Sequence, residues 1–150
     1  ANKNFEIGSE LFSKIKSSVK TLEKSNVVYK IPCYNCNKSY IGQTSRTLKG
    51  RITSHKSDCR LNKKSCGLSE HVVESGHRMN YDNVTVLDSE ENLLKRTFLE
   101  MFHINGEKNN LNKKSDINNL SKIYTYILKI ESEKSSLQNS NLPPVSRLAI

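Results

Sequence analysis

The sequence lacks any apolar run long enough to span a membrane, and it lacks the charged and apolar segments of a secretory signal at its N-terminus. We therefore expect an intracellular protein with no membrane partner. Apolar residues are also scarce, at 35% of 150 residues, whereas 26% of the residues are charged. This composition predicts one folded domain with a small core and a polar surface.

Acidic residues are nearly absent from residues 30–64, which carry nine Lys and Arg but one acidic residue. Residues 65–113 reverse that balance, with five basic and eight acidic residues. The net charge of +9 is therefore concentrated in one stretch. A concentrated cationic stretch is typical of a surface that binds a polyanion, which favours nucleic acid as the partner.

Cysteine is used sparingly, at four positions: Cys33, Cys36, Cys59 and Cys66. Without an export signal these residues are expected in a reducing compartment, where closely spaced cysteines are more often metal ligands than disulfides. The sequence thus argues against an extracellular disulfide scaffold. Because it begins without Met and ends in a polar segment, we expect it to be part of a longer protein.

Apolar periodicity and helix or strand breakers predict an α+β fold, with a central three-stranded antiparallel sheet flanked by helices. The expected strands cover residues 27–31, 38–42 and 84–87. The expected helices cover residues 9–24, a segment from a Thr44 or Ser45 cap to about Ser57, residues 68–75, a segment from a Ser89 cap to Gly106, and a segment from Asp116 to about Lys134. Residues 135–150 are expected to be a linker or a disordered end.

Two of these helices carry candidate functional side chains. Arg51 and His55 are four residues apart, so they share one face of their helix. Glu100 lies in a helix whose predicted core stripe is Leu93, Leu94, Phe98, Met101 and Phe102. Burying an unpaired carboxylate among such residues is costly, so Glu100 requires a functional reason.

Five short motifs in this order of elements resemble the GIY-YIG endonuclease domain, and the resemblance covers about residues 26–113. Val27-Val28-Tyr29 stands where the family has Gly-Ile-Tyr, and Tyr40-Ile41-Gly42 is the second motif. The remaining motifs are Leu48 to Ile52 with His55, Leu99-Glu100, and Leu111-Asn112. The resemblance implies a small GIY-YIG-type domain that hydrolyses phosphodiester bonds with one divalent metal ion.

The resemblance also implies roles for six residues. Glu100 would bind Mg²⁺ or Mn²⁺, and Arg51 would stabilise the charge that develops on the phosphate. Tyr29 would act as a general base if neighbouring cations, Arg51 or Lys30, lower its pKa. Tyr40 would contact the nucleophile or the phosphate, His55 would bind phosphate or share the role of base, and Asn112 would position the metal site or the substrate.

The sequence between and after the two tyrosine motifs is similar to the endonuclease domain of Penelope-like retroelements, a subfamily that joins a GIY-YIG nuclease to a reverse transcriptase. This similarity implies a structural Zn²⁺ held by Cys33, Cys36, His71 and His77, a set that suits tetrahedral coordination. A competing set consists of Cys33, Cys36, Cys59 and Cys66. The expected partners are DNA, a fused or adjacent reverse transcriptase and the RNA of the element, in the nucleus.

The main functional hypothesis is a metal-dependent nickase that makes 3′-OH ends, which would prime reverse transcription. The alternative is a non-catalytic, zinc-stabilised module that only binds nucleic acid, and a homing or repair nuclease of the same fold remains a third interpretation. In each case the cationic residues expected to bind the nucleic-acid backbone are Lys38, Arg46, Lys49, Lys56, Arg60, Lys63 and Lys64. The expected division is a helical extension at residues 1–25, the nuclease domain at 26–113, and a helix with a flexible tail at 114–150.

Overall fold

A computed structural model describes residues 19–117 and 120–140 of the chain. The described residues up to Ile117 form one compact unit, and those from Leu120 belong to a second. The elements in order are β1 (Val27–Pro32), β2 (Ser39–Thr44), α1 (Leu48–Arg60), α2 (Gly67–Ser75), β3 (Thr85–Ser89), α3 (Leu93–Gly106) and α4 (Leu120–Ser140). Short 3₁₀ helices lie at Tyr81–Asn83 and Lys114–Ile117. The predicted α+β class is confirmed.

The sheet has the order β2-β1-β3, and both neighbours run antiparallel to the central strand β1. β1 and β2 form the predicted hairpin, with Pro32 as the last residue of β1 and the first cysteine immediately after it. In this register Tyr29 lies opposite Gly42 on one side and Val86 on the other. The centre of the sheet therefore carries the first predicted tyrosine.

Side chains alternate between the two faces of β1, as the pleat of a strand requires. Val27, Tyr29 and Ile31 are buried in a core cluster with Leu48 and other residues of α1 and α2. Val28 points to the opposite face, where a second cluster contains Ile41 and Ile104. The sheet is thus covered by α1 and α2 on one face and by α3 on the other.

α1 begins at Leu48, and its N-cap is Thr47, whose side chain accepts a hydrogen bond from the Gly50 N–H. The predicted caps at Thr44 and Ser45 are wrong, because β2 continues as far as Thr44. The Thr44 hydroxyl instead accepts a hydrogen bond from the Arg46 N–H, which shapes the turn between strand and helix. The helix then runs to Arg60 rather than to Ser57.

α2 begins at Gly67, one residue earlier than the predicted start at 68, and ends where predicted. Gly76 follows the helix in the left-handed conformation, with φ of 70°, which glycine adopts without the steric cost of a Cβ atom. At the other end, Ser69 forms a capping box with the N-cap residue Cys66. A Cβ at Gly67 would lie 1.8 Å from the Leu111 carbonyl oxygen, so the helix start requires glycine.

The predicted apolar face of α3 is wrong. Leu93, Leu94, Phe98 and Phe102 are exposed, whereas Met101 is buried together with Ile104 and Arg96. The predicted Ser89 cap is also wrong, because the Asn92 side chain accepts the capping hydrogen bond from the Lys95 N–H. Arg96 explains this orientation of the helix. Its guanidinium donates hydrogen bonds to the Glu90 and Glu91 carbonyl oxygens of the preceding loop, so the side of the helix that carries Arg96 faces inward.

The predicted terminal segments lie partly outside the described residues. Of the helix predicted at 9–24, only residues 19–24 are described, and residues 19–22 are helical. α4 begins at Leu120 rather than at Asp116, and it extends to Ser140, beyond the predicted end near Lys134. Residues 141–150 are outside the described part. No helix within the described residues is both long and apolar enough to cross a bilayer.

Candidate active site

The Tyr29 side chain crosses the sheet directly over Gly42. A Cβ atom at position 42 would lie 2.6 Å from the Tyr29 hydroxyl oxygen and 2.9 Å from a ring carbon of Tyr40. Such separations are far shorter than van der Waals contact, so only glycine fits opposite Tyr29. The glycine of the second motif therefore has a steric function, which is to let the Tyr29 ring pass over β2.

The Tyr29 hydroxyl is the centre of a buried hydrogen-bond cluster. Its oxygen lies 2.8 Å from His55 Nε2 and accepts a hydrogen bond of 3.2 Å from Arg51 Nε. Arg51 and His55 both reach it because they are one turn apart on α1, as the sequence predicts. The Tyr40 ring packs edge-on against His55, with 5.3 Å between ring centroids.

Burial controls the protonation of this cluster. It raises the pKa of Tyr29 to about 12, against the opposing effect of the Arg51 charge. Burial and then Arg51 lower the pKa of His55 to about 4. The expectation that cations lower the pKa of Tyr29 is therefore wrong, because burial outweighs Arg51 and because Lys30 pairs with Glu107 instead.

These pKa directions determine where the protons are at neutral pH. Tyr29 keeps its proton and accepts from Arg51, so its hydroxyl donates to Nε2 of a neutral His55. The remaining ring proton of His55 is then on Nδ1, which lies 3.8 Å from Cys66 Sγ. The cluster is thus a directed chain of donors from Arg51 through Tyr29 to His55.

An open cleft of about 440 Å³ lies beside this cluster. Its lining combines cations, carboxylates and hydroxyl groups: Tyr40, Gln43, Thr44, Ser45, Arg46, Arg51, Ser65, Cys66, Leu93, Arg96, Glu100 and Asp116. β2 and α1 contribute Tyr40 and Arg51, whereas α3 contributes Glu100. Three of the six predicted catalytic residues, Tyr40, Arg51 and Glu100, therefore line this cleft. Tyr29 and His55 are buried and contact Arg51 and Tyr40.

Glu100 has a strongly perturbed carboxyl group. Burial, and then the nearby Asp116 carboxylate, raise its pKa to about 7, while a hydrogen bond from Gln43 and the charge of Arg51 act in the opposite direction. A buried carboxylate that faces another carboxylate is short of positive charge. Its oxygen atoms are suitable ligands for a hard divalent cation such as Mg²⁺ or Mn²⁺.

Arg96 and Gln43 are functional neighbours that the sequence analysis missed. Arg96 is 2% exposed, and its Nε donates to Gln43 Oε1 at 2.7 Å. Its Nη1 donates to the Glu90 carbonyl at 2.8 Å and to Asn26 Oδ1 at 3.3 Å. Arg96 thereby fixes Gln43 next to Glu100. Its position four residues before Glu100, on the same helical face, is the only sequence signal for this role.

Asn112 lies against the outer edge of β2. Its Oδ1 accepts from the Ile41 N–H at 3.1 Å, and its Nδ2 donates to the Ile41 carbonyl at 2.6 Å. The side chain therefore takes the place of a neighbouring strand residue and holds Ile41, between Tyr40 and Gly42. Asn112 is a positioning residue in this structure, and a direct contact with metal or substrate stays a prediction.

All seven predicted backbone-binding cations are exposed. Three of them have partners on the protein surface: Lys64 pairs with Glu74 at 2.7 Å, Lys56 lies 4.9 Å over the Tyr81 ring, and Arg46 donates to Ser54 Oγ at 3.5 Å. Arg46 also lines the cleft. These residues are available to a polyanion, although their contacts with nucleic acid stay a prediction.

Cys33, Cys36, His71 and His77 form one compact group. Their ligand atoms all lie within 4.8 Å of one another. His71 Nε2 is 3.4 Å from Cys33 Sγ and 3.7 Å from Cys36 Sγ, and His77 Nδ1 is 3.7 Å from Cys33 Sγ. Tetrahedral Zn²⁺ with bonds of about 2.3 Å to sulfur and 2.0 Å to nitrogen requires S···N separations of about 3.6 Å.

The group therefore fits a zinc ion, and its surroundings favour the protonation state in which His71 binds metal. Burial, followed by His77 and Lys38, lowers the pKa of His71, which favours the neutral imidazole that binds metal. The Asn35 N–H donates to Cys33 Sγ at 3.4 Å. The competing all-cysteine set does not assemble, because Cys66 contacts His55 and Cys59 lies elsewhere, near Tyr81.

Comparison with known proteins agrees with this geometry. The family model for the GIY-YIG catalytic domain matches residues 25–105, which cover β1 and β2 with both tyrosines, Arg51 on α1 and Glu100 on α3. No curated protein and no solved structure gives a significant match. Since the matched segment covers more than half of the chain and contains the cleft residues, the chain belongs to the GIY-YIG family of nucleases, which are phosphodiester hydrolases.

Proposed function

We propose that the protein is a metal-dependent DNA endonuclease that nicks one strand and leaves a 3′-OH end. The observation that carries this proposal is that Arg51 and Glu100 line one cleft, while Arg51 also bonds to the buried Tyr29–His55 pair behind it. Phosphodiester hydrolysis requires a proton acceptor for water, a cation for the phosphate and a ligand for a divalent metal ion. Arg51 and Glu100 in the cleft supply the cation and the metal ligand, and the buried Tyr29–His55 pair next to Arg51 supplies the proton acceptor.

The Tyr29–His55 pair accepts the proton of the attacking water. As the water oxygen bonds to phosphorus, its proton passes to the Tyr29 oxygen, and the Tyr29 proton passes to His55 Nε2 along the 2.8 Å hydrogen bond. Tyr29 therefore never has to exist as a free phenolate, which its raised pKa would oppose. His55 is neutral beforehand, so Nε2 can accept the proton, while burial and Arg51, which lower the pKa of His55 to about 4, raise the cost of this step.

Arg51 stabilises the negative charge of the phosphorane. Its guanidinium is always ionised, and Nε is already anchored on Tyr29, so the other nitrogen atoms are oriented toward the cleft. Arg46 and the Tyr40 hydroxyl line the same space and contribute further donors to the phosphate oxygens. Donors held in advance lower the barrier because they do not reorganise during the reaction.

Glu100 holds the divalent metal ion, Mg²⁺ or Mn²⁺. When bound, that ion supplies Lewis-acid stabilisation of the phosphate and the leaving oxygen. The residues of the chain orient the carboxylate: Gln43 hydrogen-bonds to Glu100, and Arg96 fixes Gln43. A second group, Cys33, Cys36, His71 and His77, holds a structural Zn²⁺ that staples the β1–β2 loop to α2.

The retroelement context of this nuclease rests on the sequence around the zinc ligands, which is similar to Penelope-like elements. In that context the domain works beside a reverse transcriptase and the RNA of the element in the nucleus, and the nicked 3′-OH end primes reverse transcription. The nuclease domain would then extend over residues 26–113, between a helical extension at 1–25 and a helical tail at 114–150.

The test is conversion of supercoiled plasmid to the nicked circle in the presence of Mg²⁺ or Mn²⁺. We expect activity from the full chain, none from Glu100→Ala or Arg51→Ala, and wild-type activity from Glu131→Ala, which removes an exposed carboxylate on α4. Glu100→Ala that nicks at the wild-type rate would refute the assignment of Glu100. A chain that retards DNA on a gel but never cuts it under any metal condition would identify a binding module instead.

The chemistry of the new end is a separate test. If the bond between phosphorus and the 3′ oxygen breaks, that oxygen leaves as a 3′-OH, and a DNA polymerase will extend the nick without prior phosphatase treatment. Extension that depends on phosphatase treatment would mean that the enzyme leaves a 3′-phosphate, and the priming role would be excluded.

A further inference from the structure

Tyr34 stands apart from the other tyrosines of the hairpin. It lies in the loop between the two cysteine ligands, and its side chain is 66% exposed, whereas Tyr29 and Tyr40 are buried. The proposed mechanism makes no use of it. At this exposure the ring contributes little to the core and can contact a ligand.

The backbone around Tyr34 is held firmly. Its N–H donates to the Arg78 carbonyl at 2.8 Å, and the Arg78 N–H donates to Asn35 Oδ1, also at 2.8 Å. One residue earlier, Cys33 forms an antiparallel bridge with Met79. The exposed ring is thus presented by a loop that is already ordered, which reduces the entropy cost of using it as a binding surface.

A groove of about 360 Å³ opens beside the ring. It is lined by Tyr34, Lys56, Arg78, Met79, Asn80, Tyr81 and Asp82, none of which lines the active-site cleft. The Arg78 guanidinium lies 5.5 Å from the centroid of Tyr34. Neither Arg78 nor Lys56 forms an ion pair within the described residues. The groove therefore offers an aromatic face next to two cations without ion-pair partners in the described residues, Arg78 over the Tyr34 ring and Lys56 over the Tyr81 ring, with Asp82 as its one acidic residue.

The position of Lys56 relates the groove to the active site. Lys56 is the residue after His55 on α1, so it points to a different side of the helix from His55 and Arg51. The cleft and the groove therefore lie on two sides of the same helix.

We propose that this groove binds an unpaired nucleotide of the nucleic-acid substrate. The base stacks on the Tyr34 ring, and the adjacent phosphate pairs with Arg78 and Lys56. Exposed aromatic rings beside cations are the usual means of holding single strands, because every base has a face that can stack. A base inside an intact duplex cannot stack on Tyr34. The inference rests on the proposed nuclease function and adds a preference for substrates with unpaired nucleotides.

The first experiment uses the absence of tryptophan from the chain. Tyr34→Trp makes a single fluorophore at the groove, and Tyr124→Trp is its control, since Tyr124 is 64% exposed on α4. Both proteins are titrated, without divalent metal, with a single-stranded DNA oligonucleotide, the same sequence as RNA, and a fully paired duplex. Stacking predicts that a single strand quenches the Tyr34→Trp emission. The comparison of the DNA and RNA titrations shows which of the two nucleic acids the groove prefers.

The second experiment measures affinity. Tyr34→Ala is expected to bind a duplex with an unpaired bubble about tenfold more weakly than the wild type, while its affinity for the fully paired duplex is unchanged. Tyr34→Phe keeps the aromatic face and is expected to restore bubble binding. Equal losses for bubble and duplex would overturn the proposal, as would equal quenching of both tryptophan variants.

The two proposals can fail separately. If the wild type nicks plasmid but single strands leave the Tyr34→Trp emission unchanged, the groove inference alone is wrong. If single strands quench that emission and no divalent metal supports nicking, the groove binds nucleic acid and the proposed nuclease function is wrong.

Discussion

At the scale of single residues, the site depends on how tightly the Tyr29 hydroxyl is enclosed. Gly42 lies below it, and Arg51 and His55 bond to it from α1. The ring is fully buried, so it has no space into which it can move. A small change opposite the ring should therefore disturb the chemistry more than the fold.

Gly42→Ala tests this enclosure. The new methyl group would lie 2.6 Å from the Tyr29 oxygen, so the hydroxyl must move away from His55 and Arg51. We expect a destabilisation of about 1–3 kcal/mol, as for other overpacked cores, and a loss of nicking of at least about 100-fold. Chemical denaturation and plasmid nicking measure the two effects.

The matched control for that variant is Gly106→Ala. Gly106 ends α3 and has no positive φ, and a methyl group added there would meet no neighbouring atom within 4 Å. Its stability should be equal to the wild type or higher by up to about 1 kcal/mol, since alanine favours helix. Wild-type nicking by Gly42→Ala would contradict the steric role of the glycine.

Glu100 gives the site a pH dependence through its metal affinity. The pKa of its carboxyl group is about 7, raised by burial and by Asp116, and only the ionised form binds a divalent cation. Below pH 7 a proton competes with the metal, so the Mg²⁺ concentration for half-maximal nicking should fall about tenfold per pH unit as the pH rises toward 7. Above that pH the requirement should become constant.

Asp116→Asn is the diagnostic variant for this dependence. Removing the second carboxylate lowers the pKa of Glu100, so the pH at which the Mg²⁺ requirement levels off should move to lower values. If the pH above which the Mg²⁺ requirement is constant does not change in this variant, another group controls metal binding. Initial nicking rates over a grid of pH and Mg²⁺ concentration measure both proteins.

The sequence predicted the principal side chains of the site but missed those that support them. Tyr29, Arg51 and Glu100 belong to short motifs with a fixed order, so their proximity could be expected. Arg96 and Gln43 are ordinary surface residue types, and nothing in their spacing indicates that one buries its charge against the other. Their role depends on the loop carbonyls that approach Arg96 in three dimensions, which local sequence does not encode.

At the scale of elements, α3 illustrates why a helix can be predicted correctly and yet oriented wrongly. Its sequence has apolar residues on two faces, and the larger set, which includes Phe98 and Phe102, is the exposed one. The helix is rotated to bring Arg96 and Glu100 toward the sheet, and its position is fixed by their hydrogen bonds together with the buried Ile104. The strands were predicted to within two residues because alternation and Pro32 define them locally.

The loop between β1 and β2 and the segment around the end of α2 are joined by backbone hydrogen bonds and by the Cys33–Cys36–His71–His77 group. We expect one Zn²⁺ per purified chain, and Cys36→Ser or His77→Ala should lose the metal and several kcal/mol of stability. Metal analysis and thermal unfolding with and without chelator measure this. Arg51 and Glu100 lie outside the loop. Loss of zinc should therefore lower the melting temperature, while the rate of nicking at low temperature should change less.

Cys59→Ser is the control for the zinc site. Cys59 is half-buried and is not part of the ligand group, so the variant should retain one Zn²⁺ and the wild-type melting temperature within a few degrees. Loss of zinc from Cys59→Ser would instead support the all-cysteine ligand set. A wild-type protein without zinc would refute the site altogether.

At the scale of the whole molecule, the cationic stretch at residues 30–64 is arranged along α1. Lys49, Lys56 and Arg60 are separated by seven and four residues, so they form a stripe on its exposed side, which Lys63 continues beyond the helix end. The stripe lies on the helix that also carries Arg51. Nucleic acid bound along the stripe would contact the helix that carries Arg51, on the side of α1 away from Arg51 and without any base-specific contact.

Binding through this stripe should depend steeply on salt. Each phosphate that a lysine or arginine neutralises releases counterions, so six contacts weaken duplex binding by about 10³-fold between about 50 and 200 mM NaCl. Lys49→Ala and Arg60→Ala should each reduce the slope of log affinity against log salt by about 1. Fluorescence anisotropy with a labelled duplex, measured without divalent metal, gives the slopes.

Substitutions of Lys64 and Lys129 distinguish binding through the stripe on α1 from attraction by the net charge of the protein. All of these substitutions remove one positive charge, but Lys64 already pairs with Glu74, and Lys129 is an exposed residue of α4 outside the cationic stretch. If position decides binding, Lys129→Ala leaves the slope unchanged and Lys64→Ala lowers it by less than Lys49→Ala does. If the +9 net charge alone attracts the nucleic acid, all four variants shift the slope equally, and the stripe on α1 has no special role.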